Sequence, residues 1–369
     1  MNTCLPTKIR LSSPAELISA LPYLVGFYPR DSLVVVCLQG PRPRIGLAVR
    51  ADLPPPGEER QLARALLAPV VARHPIGVVL VVVGGGRPHP VLGTPGAAAV
   101  SAVSGVLAEQ GVVTMQALWA ESLQAQAPWS CFEGCCDGLL PDPEASHVAA
   151  ATAAAGLVTF ADRDELRRLV APDGDGVLAR RGALLDEAVA ELDRELAEDP
   201  AGVARRHLAL VHDALEAAGR GRLPVTDGHI VGLAVALADR SIRDSCLRLC
   251  RCDSGGEGGG EVDGEGEARA AAAERLWLAL TRATPAPELA NPATLAAFTA
   301  YLRGNGALAG MALERALEAW PGHDLATLLA MALEAGLPPS ALARLADDAA
   351  EDADQTIDDD TGDGGREWR

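Results

Sequence analysis

One run of aliphatic residues constrains the fold more than any other feature of this sequence. Ile76–Val83 reads IGVVLVVV, without a polar side chain. A run that is apolar at every position is typical of a strand covered by other elements on both faces. It is far shorter than the roughly 20 residues that a membrane-spanning helix needs. The sequence therefore predicts a sheet with helices packed against it.

The segments around this run alternate between helical and strand-like patterns. Ser13-Pro14-Ala15-Glu16 forms a capping box with proline at the first helical position, which predicts a helix to about Leu24. Valine-rich Ser32–Leu38 and Ile45–Leu53 predict two strands. The segments that follow predict helix, strand, helix and strand at residues 58–73, 76–83, 95–110 and 112–119. This alternation predicts an α/β domain over residues 1–125, with a mixed or partly parallel sheet and helices.

A cysteine-bearing loop over residues 126–143 is expected to connect this domain to an all-helical domain over residues 144–345. Ten segments of the second domain have helical patterns and none has a convincing strand pattern. One helical pair is spaced like the second half of a tetratricopeptide repeat, with Tyr301, Gly304, Ala309, Ala316, Leu317 and Pro321 in the matching positions. The pair predicts a tetratricopeptide-like hairpin. A single copy leaves two interpretations open, an ordinary packed hairpin and a groove that binds a partner.

The strong negative charge is concentrated in two segments. The formal net charge is −18, of which residues 253–267 contribute −6 and residues 347–369 contribute −8. These segments predict a disordered acidic glycine-rich linker and an acidic tail over residues 346–369. The chain has no basic stripe with interleaved aromatic residues, so nucleic acid is not expected as a partner.

The expected location is the cytoplasm. The first 20 residues contain no apolar segment of the kind that forms a secretory signal, and no run is long enough to span a membrane. In a reducing compartment, cysteines are expected as thiols or metal ligands rather than disulfides.

Several blocks of the sequence resemble an actinobacterial family, DUF4192, a domain of unknown function. The first block is Ser13-Pro14-Ala15-Glu16-Leu17, continued by the stretch from Leu21 to Val36. The later blocks are Trp129-Ser130-Cys131 with Cys135-Cys136, Arg243-Asp244 with Leu276-Trp277, and residues 304–323. The resemblance spans nearly the whole chain apart from the linker and the tail. Because the family has no assigned activity, the resemblance implies no catalytic residue.

Several enzyme classes are excluded because their usual signatures are missing. Lys8 is the only lysine, so there is neither a Gly-x-x-x-x-Gly-Lys-Ser/Thr phosphate loop nor a good candidate for a Schiff base. The sequence also lacks the His-Glu-x-x-His motif of zincin metalloproteases and the Gly-x-Ser-x-Gly motif of α/β-hydrolases. It has no Gly-x-Gly-x-x-Gly between a strand and a helix, which is the usual motif of dinucleotide-binding enzymes. No catalytic residue is predicted.

The first candidate site is a group of cysteines in the connecting loop. Cys131, Cys135 and Cys136 lie within six residues, and His147 follows. Thiolates and imidazole are zinc ligands, and four of them complete a tetrahedral site, so these residues predict a zinc site. A redox-active thiol pair and simple packing are the alternatives. A second group consists of Cys246, Cys250 and Cys252. Its spacing favours thiols that are buried on one face of a helix, and a contribution to the first site is the alternative.

The second candidate site follows the aliphatic strand. Val83 is followed by a glycine loop with two basic side chains, Gly84, Gly85, Gly86, Arg87 and His89. Ligands of open α/β sheets collect beyond the carboxyl ends of strands, and glycines let backbone amides approach an anion. These residues predict a ligand site, with a flexible connection as the alternative.

These observations favour a non-catalytic binding or regulatory protein that contacts a protein partner through its helical domain. Two alternatives stay open. One is an enzyme of unrecognised type with its ligand site at the C-terminal edge of the sheet. The other is a structural zinc or thiol-redox role for Cys131, Cys135 and Cys136.

Overall fold

The computed structural model describes residues 13–41, 43–89, 93–154, 156–250, 264–344 and 347. The chain divides into two compact units, of which the first runs to Leu166 and also includes Ala332–Leu337. The second runs from Arg167 to Met331 and resumes at Pro338. Residues 144–166, which were predicted to open the helical domain, therefore belong to the first unit. The predicted acidic tail lies outside the described residues except for Asp347.

A six-stranded mixed sheet forms the centre of the first unit. Its strands in chain order are β1 Ser32–Gln39, β2 Arg44–Asp52, β3 Gly77–Val83, β4 Thr114–Ala120, β5 Pro128–Cys131 and β6 Asp137–Leu139. Their order across the sheet is β2-β1-β3-β4-β5-β6. The pair β3 and β4 is parallel and the other neighbouring pairs are antiparallel. The predicted partly parallel sheet is confirmed.

Helices cover the sheet on both faces. Those of the first unit are α1 Pro14–Val25, α2 Glu59–Val71, α3 Ala97–Glu109, α4 His147–Ala154 and the beginning of α5 Arg163–Arg168. Ile18 and Leu21 of α1 pack on Val79 and Val81 of β3. On the opposite face, α2 and α3 pack on Leu80. Every residue of β3 is buried, as its unbroken aliphatic sequence predicts. Full burial of a valine or leucine side chain contributes about 1.5–3 kcal/mol, so this strand is a major source of stability.

The predicted connecting loop is largely a β-hairpin. Within residues 126–143, β5 pairs with β4 through Leu118 and Cys131, and β6 pairs with β5 through Ser130 and Asp137. The interpretation as an irregular loop was wrong for these two strands. Both are short, and each contains a residue that is uncommon in strands, Pro128 or Gly138. Their pairing depends on the neighbouring strand β4, which the local pattern does not reveal.

Among its described residues, the second unit contains helices and the loops between them but no strand. Its helices are α6 Asp175–Glu198, α7 Pro200–Gly219, α8 Asp227–Ala238, α9 Arg240–Leu249, α10 Gly264–Ala283, α11 Ala290–Leu302 and α12 Gly306–Ala319, followed by α13 Asp324–Glu334, whose residues from Ala332 onward are assigned to the first unit. Residues 253–263 of the predicted linker lie outside the described residues. Residues 264–267 belong to α10, so the prediction of disorder was wrong there. Glu267 accepts hydrogen bonds from Arg303, which holds this first turn against α11.

The predicted helical hairpin of α11 and α12 is present. Gly304 ends the first helix in the left-handed conformation, with φ of 84°. The Asn305 side chain accepts a hydrogen bond from the Leu308 amide and caps α12. Ala309 and Ala316 are buried, which lets the two helices approach closely. The tetratricopeptide-like character of the pair stays a prediction. None of the described helices is long and apolar enough to cross a membrane.

Candidate functional site

The β5–β6 hairpin brings three cysteines to its tip. The register of Ser130 opposite Asp137 continues to the next pair, in which the Cys131 amide donates to the Cys136 carbonyl over 2.8 Å. The chain reverses between them, and Gly134 takes φ of 70°, which glycine adopts at little cost. The hairpin is thus the element that places the first and last cysteines side by side.

The three sulfur atoms face one another. Cys131 Sγ lies 3.1 Å from Cys135 Sγ, and Cys135 Sγ lies 3.9 Å from Cys136 Sγ. All three lie within 4.8 Å of one another. Cys131 is buried, Cys136 is half-buried and Cys135 is exposed, so the cluster opens towards solvent at Cys135.

The turn stabilises negative charge on one sulfur. Cys131 Sγ accepts hydrogen bonds from the backbone amides of Cys135, at 2.9 Å, and Cys136, at 3.2 Å. The thiol of Cys135 and these amides lower the pKa of Cys131 to about 7. The same interaction raises the pKa of Cys135 to about 11, and burial raises the pKa of Cys136. The buried sulfur is therefore the one that becomes a thiolate first.

The cluster has the dimensions of a metal site. Zn–S bonds of about 2.3 Å in a tetrahedron place neighbouring sulfurs about 3.8 Å apart. The observed separations of 3.1 and 3.9 Å bracket this value. Amide hydrogen bonds to a ligating sulfur also hold that ligand in place and moderate its charge. The arrangement fits three ligands of a thiophilic ion and leaves one coordination position open.

The other predicted ligands are not part of this cluster. Among the described residues, the group of potential ligand atoms consists of the three thiols alone. His147 is exposed at the start of α4 and does not join it. Cys246 and Cys250 lie in the second unit, where each buried thiol donates to the carbonyl one helical turn earlier. Cys252 lies outside the described residues.

Gln116 was not singled out from the sequence. Its side-chain amide lies 3.8 Å from Cys136 Sγ. The sequence does show that Gln116 and Leu118 are two residues apart in a strand, so their side chains lie on the same face of β4. That signal becomes useful only once Cys131 is known to pair with Leu118.

The predicted ligand site after β3 is at the opposite end of the sheet, and several of its polar groups are engaged within the chain. The Gly85 amide donates to the Asp31 carboxylate over 2.7 Å, and the Gly84 carbonyl accepts from the Trp119 indole. Arg87 is paired with Glu121. The remaining two members of the set are Gly86, which takes φ of 97°, and His89, whose backbone pairs with Gly93. The Gly85 amide and the Arg87 side chain therefore already have partners within the chain, and the ligand site stays a prediction.

A buried polar network lies in the second unit. His323 is 2% exposed, and its Nε2 lies 3.0 Å from Oδ1 of Asn291. Its Nδ1 accepts from the Ala326 amide, which caps α13. Arg243 lies 3.4 Å from both Asn291 and His323 and pairs with Asp244. The network ties α9, α11 and α13 together and, like the glycine loop, satisfies its polar groups internally.

Comparison with known proteins identifies a family and no individual relative. A family model described as Domain of unknown function (DUF4192) matches residues 14–340. The matched segment includes the thiol cluster, the glycine loop and the polar network. No curated protein and no solved structure matches the chain.

Proposed function

The chain belongs to the DUF4192 family, and we propose that it is a non-catalytic binding or regulatory protein whose first unit holds one zinc ion through Cys131, Cys135 and Cys136. The family has no assigned function, so the proposal rests on the geometry of this chain. The observation that carries it is the convergence of three sulfurs within 4.8 Å.

The cluster is prepared for a cation rather than for packing. Buried cysteine that merely fills space behaves as a small hydrophobic residue, as Cys246 and Cys250 do in their helices. At the hairpin tip, by contrast, two amides point at one sulfur and favour its thiolate form. A thiolate with two further sulfurs around it is stabilised when a thiophilic cation binds all three.

The same geometry favours metal binding over a conventional reactive thiol. A cysteine that attacks external molecules is usually both ionised and accessible. Here Cys131, whose sulfur the amides stabilise, is 4% exposed, whereas the sulfur of the exposed Cys135 receives no such stabilisation. A buried, hydrogen-bonded thiolate suits a ligand that stays in place.

A non-catalytic role is supported by what surrounds the open position. Zinc hydrolases supply a carboxylate or imidazole that moves protons next to the metal-bound water. Over the described ranges, no carboxylate or imidazole joins the three thiols as a ligand, and Asp137 of β6 is near enough to raise the pKa of Cys136 through its charge but is not part of the cluster. The thiols also call for a reducing compartment, and we therefore propose a cytoplasmic location.

Metal analysis of the purified, reduced protein tests this function. We expect close to one zinc per chain after removal of excess metal. Cys131→Ser should weaken zinc binding, measured by competition with a chromogenic chelator, by at least about 100-fold. Loss of a direct ligand should cost more than the 10–100-fold loss that follows removal of an outer-shell contact. Cys250→Ala removes a thiol outside the cluster and should leave affinity unchanged. Freely reacting thiols at all three positions, in a protein that binds no zinc, would refute the proposal.

The partner surface is a second proposal, favoured by exposed apolar side chains in the second unit. Trp320 is 47% exposed, and Leu328 and Met331 of α13 are 63% and 61% exposed. Leu328 and Met331 are three residues apart and so lie on one face of the helix. Aromatic and methionine side chains are enriched in protein interfaces, which supports a protein partner.

Charge substitution tests this surface. A protein that co-purifies with the wild-type chain should be lost from the Leu328→Glu/Met331→Glu variant. Val225→Glu is the matched control, because Val225 is apolar and 83% exposed but lies outside α13. Equal recovery of the partner by the wild type, the Leu328→Glu/Met331→Glu variant and the Val225→Glu control would exclude α13 as the docking site.

A further inference from the structure

The three cysteines differ in access, and the most accessible sulfur lies 3.1 Å from the least accessible one. Cys135 is exposed, and its sulfur lies 3.1 Å from that of Cys131, which is 4% exposed. An oxidant from solution therefore meets Cys135 first. Cys131 is held behind it by two amide hydrogen bonds, within reach of the atom that has just been oxidised.

We propose that the turn is a redox-controlled metal gate, in which a low-molecular-weight disulfide converts Cys135 and Cys131 into an intramolecular disulfide and the ion is released. The release step rests on the proposed zinc site, whereas the disulfide step rests on the cysteine geometry alone. The proposal assigns a regulation to the site: it holds the ion under reducing conditions and gives it up on oxidation.

The chemistry balances with the external disulfide as the oxidant. Cys135 reacts as a thiolate, which forms when it binds the ion or when its proton passes to the Cys131 sulfur 3.1 Å away. This thiolate attacks one sulfur of the disulfide RSSR, forms a mixed disulfide and expels one thiolate, RS⁻. The Cys131 thiolate then attacks the Cys135 sulfur, and the second RS⁻ leaves. Two protein thiolates have lost two electrons in total, and RSSR has been reduced to two RS⁻. Protons of the two cysteines go to solvent or to the departing thiolates.

Covalent geometry favours this pair over the adjacent cysteines. Bridged cysteines usually have Cα atoms 4.4–6.8 Å apart, whereas consecutive Cα atoms across a trans peptide are about 3.8 Å apart. A bond between Cys135 and Cys136 would therefore distort the turn. Cys131 and Cys135 are separated by three residues, including Gly134 in the left-handed conformation, and their sulfurs already face each other.

Oxidation should release the ion because it removes two of three ligands. Cys136 alone is left, and a single thiolate does not hold zinc against a chelator. We expect affinity to fall by at least about 100-fold, more than the loss of outer-shell contacts causes. Reduction should restore binding, because the change is confined to a turn whose hairpin pairing does not involve the sulfurs.

Peptide mapping and zinc release test the proposal together. Zinc-loaded protein and metal-free protein are each treated with oxidised glutathione, and released zinc is followed with a chromogenic chelator. Free thiols are then alkylated, and the denatured chain is cleaved after glutamate. Cleavage after Glu133 separates Cys131 from Cys135 and Cys136, so only a bond that crosses this position keeps the two peptides together.

The expected result is one linked peptide pair in both samples, with Cys136 alkylated and zinc release that follows the linkage. Cys135→Ser should abolish the linkage, and Cys136→Ser should preserve it. A bond between Cys135 and Cys136, persistent linkage in Cys135→Ser, or a stable mixed disulfide at Cys135 would overturn the gate. Linkage in the metal-free protein without any zinc binding would overturn the proposed metal site and the release step, but not the disulfide step.

Discussion

The two ends of the sheet in the first unit use similar glycine-bearing turns for different purposes. In the turn after β3, the Gly85 amide is bound by Asp31, and Arg87 is paired with Glu121. In the turn between β5 and β6, three thiols face one another. The first turn is complete when the chain folds, whereas the second gathers donor atoms that a cation would hold together. After β3 a carboxylate and an amide satisfy each other, whereas between β5 and β6 three potential metal ligands of one kind gather with only weak thiol hydrogen bonds between them.

The glycines themselves reflect this difference. A Cβ at Gly84 would lie 2.6 Å from the Asp31 carboxylate and 3.0 Å from its backbone nitrogen, so this turn is packed around the residue. A Cβ at Gly134 would meet no atom within 4 Å. Both residues have positive φ, of 81° and 70°. The turn after β3 is thus held by packing contacts, and the turn between β5 and β6 by its backbone conformation and by the hydrogen bonds to Cys131 Sγ.

The largest expected effect is the stabilisation of the first unit by zinc. A ligand at 100 times its dissociation constant raises the free energy of unfolding by about 2.7 kcal/mol when it binds only the folded state. We expect the free energy of unfolding of the metal-free protein, measured by thermal unfolding, to rise by about this amount when zinc is added at 100 times its dissociation constant. Cys136→Ser should lose most of the shift. An equal zinc-dependent shift in that variant would mean that the ion binds elsewhere and would remove the contrast between the two ends.

The second prediction compares two matched glycine substitutions. Gly84→Ala should lower the free energy of unfolding by about 2–3 kcal/mol, because it adds a clash to the 1–2 kcal/mol cost of a left-handed residue. Gly134→Ala should cost only about 1–2 kcal/mol, because its Cβ points into open space. Chemical denaturation of both variants, without metal and under identical conditions, measures the difference. Equal costs would show that the turn after β3 is not held by its packing on Asp31.

Much of the central sheet could be predicted from the sequence because its strands carry their own signal. The predicted strand over residues 76–83 corresponds to β3, Gly77–Val83, because every side chain in it is apolar and buried. The hairpin escaped prediction for the opposite reason. β5 and β6 have four and three residues, and their pairing is set by β4 rather than by any period of their own.

The candidate sites show the same division between local and tertiary signals. Three cysteines close in sequence indicated a metal site, and the hairpin brings them together. His147 was a plausible fourth ligand by sequence distance, but its position depends on where α4 packs. The glycine loop looked available for an anion because its partners, Asp31 and Glu121, come from other parts of the chain. Internal satisfaction of this kind cannot be read from a local motif.

The third prediction extends the comparison to the second unit, where His323 belongs to an internally satisfied network. Burial and the nearby Arg243 cation lower the pKa of His323 below its usual 6.5, and the weaker carboxylates of Asp244 and Asp324 act in the opposite direction. The unfolded chain then binds more protons near pH 6, so stability is fully present above pH 6.5 and falls as the pH drops below it. Protonation of Nδ1 would also break its bond from the Ala326 amide, a loss of about 1 kcal/mol.

Stability measured between pH 7.5 and 5 for the wild type and His323→Asn checks this expectation. Asparagine retains a side-chain acceptor for the α13 cap but does not titrate. The variant should therefore show a shallower loss of stability below pH 6.5. His207, whose pKa is also lowered by burial, supplies part of the wild-type slope and remains in both proteins. Identical slopes would show that the network tolerates a charged imidazole.

The smallest expected effect is that of Arg87→Ala, and it is the one most able to break the comparison. The Arg87 side chain is 80% exposed, and ion pairs at such positions contribute roughly 0–1 kcal/mol, so the variant should unfold within about 0.5 kcal/mol of the wild type. Zinc affinity should not change. Inorganic phosphate, followed by thermal shift, should stabilise neither protein, because Asp31 and Glu121 already occupy the groups that an anion would use. Phosphate that stabilises the wild type and not the variant would make this loop a ligand site, and both ends of the sheet would then be open to partners.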